Sequence, residues 1–147
     1  MKVFSWLIKI FFILIIGTLL YSYFYKRDPG TVMEYLTEDR LGLNRYVKHI
    51  PTFRVQRYLH YWKGGEIVDR YRIKFNYPLD VDDISTMDSL SRVESHKSLS
   101  GWDHDPLSNS YSYWFNDIAL DCQDSIVFFP DDNCATYIFR QSSRLRL

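Results

Sequence analysis

The chain has 147 residues, with 18 Lys/Arg against 18 Asp/Glu, 12 Tyr, 10 Phe, 4 Trp and two cysteines. Balanced net charge gives no hint of nucleic-acid binding, and the 120 residues beyond position 27 make one ordinary domain with no room for two. There is no internal repeat or low-complexity tract, and no Cys-x-x-Cys or His-x-Cys spacing marks a metal site.

Residues 3–25, VFSWLIKIFFILIIGTLLYSYFY, carry one charge, Lys9. As a helix they span about 35 Å, enough for a hydrocarbon core of about 30 Å. Lys2 and Lys9 with the apolar run 10–20 resemble the opening of a signal peptide. The small-x-small cleavage pair is missing, however, because Tyr21-Ser22-Tyr23-Phe24-Tyr25-Lys26-Arg27 follows. Those aromatics and the two basic residues read as an interfacial belt. Residues 1–27 are therefore expected to be a retained transmembrane signal anchor. A leading apolar segment with a basic start orients residues 28–147 out of the cytoplasm, into the periplasm if the cell is bacterial.

Asp28-Pro29-Gly30 reads as a turn, and Thr31-Val32-Met33-Glu34 as a capping box opening a short helix to about Arg40. Residues 52–62 and 66–75 alternate in polarity about Lys63-Gly64-Gly65. A two-residue Gly-Gly loop would pair Leu59 with Arg70 and mix apolar with basic residues on both faces. A three-residue loop pairs Phe53 with Phe75, Val55 with Ile73 and Tyr61 with Ile67, which sorts the faces apart from Arg57 and Asp69. The three-residue loop is expected.

Residues 78–100 are weakly helical, with Val81, Ile84, Met87, Leu90 and Val93 recurring every three positions and Ser85 as an alternative cap for a helix to about His96. Residues 100–110 read as a loop. Residues 111–120, 125–129 and 134–140 read as strands with turns at 121–124 and 130–133, and 141–147 as a frayed tail. The expected fold is α+β: a largely antiparallel sheet of about five strands with two short helices.

Cys122 and Cys134 pull two ways. In an exported domain a single pair of cysteines usually bridges. A tight hairpin turning at 130–133 would instead hold them about 20 Å apart, against the limit of about 7 Å for a disulfide. The compartment argument is followed, and the bridge is expected.

Among chemical constellations, Trp102-Asp103-His104-Asp105-Pro106 is the most enzyme-like, since carboxylate and imidazole together bind metals or shuttle protons. Adjacent side chains rarely converge, and no second ligand motif accompanies them. Asp80-Val81-Asp82-Asp83 lacks the glycine and closing glutamate of a calcium loop and reads as a helix start. There is no G-x-S-x-G and no phosphate-cradling glycine loop, and His49, His60 and His96 stand singly.

Charge is the better lead. Residues 40–74 carry a net +7 and residues 75–133 a net −10. The expected register gathers Arg54, Tyr58, Arg70, Arg72 and Lys74 on one face, where like charges oppose each other and call for an anion. Either the acidic 80–94 segment neutralises them at home, or a partner does: a protein with an acidic surface or an anionic envelope component. The expected function is a membrane-anchored, non-catalytic binding or accessory module of inhibitor, immunity or complex-subunit type, with no cofactor. The alternatives are a small anchored hydrolase using Asp103, His104 and Asp105, and a cleaved, secreted binding protein.

Overall fold

The computed structural model describes residues 2–93 and 99–142, with side chains from Trp6 onward. Glu94, His96 and residues 143–147 of the expected tail lie outside the described residues.

Helix α1, Lys2–Arg27, is 26 residues long, about 39 Å at 1.5 Å per residue. An 18-residue stretch within Trp6–Arg27 has a mean hydropathy of 2.1, and none of that stretch is buried against the rest of the chain. It is long and apolar enough to cross a membrane. Asp28 ends it and at once caps the next helix, α2 (Pro29–Glu34), its carboxylate accepting the Thr31 N–H at 3.0 Å. The expected cap, Thr31, is buried inside that helix. Pro29 explains the earlier start, because its fixed φ and missing N–H suit a first helical position. A π-helical turn (Tyr35–Asp39) and a 3₁₀ turn (Leu43–Arg45) follow. This stretch buries Val32, Leu36, Leu41, Leu43 and Val47.

The rest is one antiparallel sheet of six strands: β1 (Phe53–Lys63), β2 (Glu66–Phe75), β3 (Ser100–Asp105), β4 (Ser110–Asp117), β5 (Cys122–Phe129) and β6 (Cys134–Ser142). Their order is β1-β2-β6-β5-β4-β3, so the last strand inserts beside β2. The strand missing from the expected five is β3, where a loop was expected. One register row crosses the whole inner face: Tyr58, Tyr71, Tyr137, Ile126, Tyr113, Trp102. The tyrosines stack along it, Tyr58 on Tyr71 at 4.8 Å and Tyr71 on Tyr137 at 5.5 Å between ring centres. Period-2 alternation makes this face the core, and α2, the two turns and helix α3 (Val81–Ser91) supply its other half.

Asp80 caps α3 by accepting the Asp82 N–H, which agrees with a carboxylate-rich helix start. Asp83 is buried and accepts the backbone N–H groups of Lys48 and His49, each at 2.9 Å, tying the segment before β1 to α3. The helix packs against β3 and β4.

Two further expectations are corrected. Gly64 and Gly65 form a two-residue turn with φ of 61° and 84°, the doubly positive combination that suits the twist of a hairpin, and Lys63 pairs with Glu66. Leu59 therefore opposes Arg70. Phe53 still pairs with Phe75 and Val55 with Ile73, because a bulge between Val55 and Arg57 absorbs Gln56. Each rejected or favoured register thus holds in one half of the hairpin. The disulfide is absent: both thiols are free, Cys122 opposing Gln141 at one end of the β5–β6 hairpin and Cys134 opposing Phe129 at the other. Ladder geometry prevails over the compartment argument.

Candidate functional site

The bulge decides what stands on the outer face. In an unbroken ladder with the expected register Gln56 would oppose Arg72 and Arg57 would point into the core. One extra residue shifts the alternation, and Arg57 becomes the Cα partner of Arg72. Thr136 of β6 opposes Arg72 from the other side, and in the next row Leu59 opposes Arg70. Arg57, Leu59, Arg70, Arg72 and Thr136 line one cleft of about 150 Å³.

Of the residues expected on this face, Arg54, Arg70, Arg72 and Lys74 are there, Arg54 pairing with Lys74. Tyr58 is not. It lies on the inner face against Tyr71, and Arg57 takes its place outside. The signal that would have found Arg57 was present as a misfit, a basic residue on an otherwise apolar face.

Electrostatically the cleft is one-sided. Lys74 donates to the Asp132 carbonyl. Among the described residues, Arg57, Arg70 and Arg72 are exposed and in no ion pair. Among the described residues, the carboxylates expected to neutralise them are elsewhere. Helix α3 lies on the opposite face, against the strands at the far edge, with Asp88 bound to Arg92 and Asp83 to backbone.

Tyr58 belongs instead to a junction between α1 and the sheet. Asp69, 5 % exposed, accepts the Tyr58 hydroxyl at 2.7 Å, with His60 Nδ1 at 2.7 Å and Lys26 Nζ at 3.5 Å. Burial favours its neutral form, but these three partners outweigh burial and hold its carboxyl below the ordinary range. Tyr23 of α1 packs on Tyr58, 6.2 Å between centres. The last turn of α1 is thereby fixed to the strands that carry the cleft on their other side.

The remaining candidates fall differently. Strand alternation sends Asp103 and Asp105 outward and His104 inward, so the three side chains do not converge. His104 stacks on Tyr111 at 4.4 Å, and its Nδ1 lies 4.0 Å from Asp88. Asp105 accepts the Leu107 N–H and the Ser108 hydroxyl, closing the turn that follows. No group of three metal-ligating side chains occurs among the described residues. A cavity of about 270 Å³ beside the β4–β5 turn contains Arg140, but Glu66, Asp117 and Asp121 line it too. In a third, of about 250 Å³, Arg40 is sandwiched between Tyr35 and Phe139 near the buried Asp124. Only in the Arg57–Arg70–Arg72 cleft, among these three, does the lining carry positive charge with no carboxylate.

No family model, curated protein or solved structure matches this chain.

Proposed function

We propose that this chain is a single-pass, N-terminally anchored protein whose domain 28–147 lies outside the cytoplasm and works by binding an anionic partner rather than by catalysis. The anchor reading rests on α1: unburied over its apolar stretch, interrupted there by the single charge of Lys9, and ending in aromatic and basic residues without a cleavage pair. The single observation that carries the binding reading is the cleft itself. Three guanidinium groups share one exposed face without an ion-pair partner among the described residues, while the acidic helix lies across the sheet. Like charges on directly paired positions cost free energy, and arginine is the side chain best suited to planar, forked recognition of oxyanions.

The test is capture of partners by tagged full-length protein from carbonate-washed membranes, wild type against R57Q/R70Q/R72Q. A stoichiometric partner retained by wild type, shed as salt rises and lost from the triple variant is the expected result. Undiminished capture by a folded triple variant overturns the binding-face reading. Recovery of a soluble form lacking the first 27 residues as the main species overturns the anchor.

A further inference from the structure

The shape of the cleft says more than its sign. We infer that it holds a phosphate ester of a membrane-lipid headgroup, gripped by Arg57, Arg70 and Arg72 with the Thr136 hydroxyl as a fourth donor. This rests on the binding-face reading and goes one step further, to the chemistry of the ligand.

Size is the first argument. At about 150 Å³ the cleft is smaller than the roughly 300–1,000 Å³ of pockets that enclose drug-sized ligands, which suits a compact oxyanion. Donor arrangement is the second. Arg57 and Arg72 face each other across β1 and β2, Arg70 stands one row along on the same face, and Thr136 opposes Arg72 from β6. The donors thus surround the cleft from three strands. A planar carboxylate is satisfied by one guanidinium fork and leaves the others facing each other. A tetrahedral phosphate offers oxygens in several directions and carries charge for more than one guanidinium. Leu59 supplies an apolar wall beside the charged groups, suited to the carbon side of an ester.

Position is the third argument, and it chooses the source. The end of α1 is fixed at Tyr58 and Asp69, the chain neighbours of Arg57 and Arg70. The cleft therefore lies about one sheet thickness from the point where the anchor meets the domain. A headgroup phosphate is the anion closest to hand once α1 is in a bilayer. The Gln56 bulge then has a purpose: it turns a third arginine outward at this place.

The experiment is calorimetric titration of the full chain in maltoside micelles with inorganic phosphate, short-chain phosphatidylglycerol and succinate. Phosphate and the lipid are expected to bind, the lipid at least as tightly, and succinate at least tenfold more weakly. R57Q and R72Q should each weaken both phosphorus-bearing probes about tenfold with an unfolding midpoint unchanged or raised, as loss of a charge-assisted contact requires. R57K, which keeps the charge without the fork, should fall between. Phosphate binding without lipid binding overturns the headgroup as source. Succinate as tight as phosphate, or titrations unaffected by R57Q and R72Q, overturns the phosphate assignment. If these titrations fail while membrane capture still depends on the arginines, the ligand class is wrong and the binding face stands. If capture is also indifferent, both fall.

Discussion

Two buried carboxyls on the inner face are shifted in opposite directions, and they make opposite predictions. Asp69 is kept below the ordinary range by Tyr58, His60 and Lys26 against the effect of burial. Its contribution to stability is therefore complete above the unfolded pKa of about 3.9 and is lost as pH falls through the lower folded value. Asp124, 2 % exposed, is pushed up by burial, with the Tyr137 hydroxyl and the Arg40 guanidinium pulling only partly the other way. For a raised carboxyl the contribution is complete below about pH 3.9 and falls away as pH rises through the folded value. Unfolding by urea across pH 2–7.5 should therefore show D69N destabilised by about 1–2 kcal/mol at neutral pH, the gap closing only as pH falls below about 3.9. D124N, whose amide oxygen still accepts from Tyr137, should be at least as stable as wild type at pH 7, its advantage growing as pH rises. A destabilised D124N at neutral pH would refute the second assignment. In the sequence neither acid stood apart by composition. Asp69 did stand apart by register, as one of two residues that refused to sort, and a partner set drawn from α1 and from the opposite strand explains why it tolerates the interior.

At the scale of elements, long alternating runs were legible and single insertions were not. β1, β2 and the helix start at Asp80 follow from periodicity and capping, and so does the β5–β6 hairpin at 130–133. The bulge escaped because Gln56 sits between Val55 and Arg57 and is as polar as an outward residue should be, so a sequence pattern alone trades it against turn length. β3 escaped because Gly101 and Pro106 bracket it with loop signals, yet Trp102 and His104 take inward positions opposite Tyr113 and Tyr111. The turn at Gly64-Gly65 is directly testable. Gly64 has φ of 61°, and a side chain there would meet nothing within 4 Å, so its cost is purely conformational. G64N should be close to neutral in thermal unfolding, since asparagine accepts the left-handed region. G64V should lose about 1–2 kcal/mol. Equal behaviour of the two variants would mean that the turn is not the two-residue form, and the pairing of Arg57 with Arg72 would need revision with it.

For the whole molecule the question is how a chain of zero net charge distributes a +7 stretch and a −10 stretch. Charge counting along the sequence leaves mutual neutralisation as the simplest account, and it depends on a topology that the sequence does not reveal. β6 inserts between β2 and β5, which sets β2 and β4 three strand spacings apart, about 14 Å. Helix α3 then packs on the opposite face, against β3 and β4. Both separations exceed or match the Debye length of about 8 Å at physiological salt, so its exposed carboxylates are largely screened from Arg57, Arg70 and Arg72. A double-mutant cycle between Arg72 and Asp82, an exposed carboxylate of α3, should accordingly give a coupling below about 0.5 kcal/mol. The arginines should instead interact with one another. R57Q removes the charge directly opposed to Arg72 and should leave stability unchanged or raise it by about 0.2–1 kcal/mol, more at low salt than at high. If home neutralisation operated, R70Q/R72Q would be clearly destabilised and the loss would shrink in a D82N background. That result would return the basic face to a structural role, and with it would go the reason to seek an anion in the cleft.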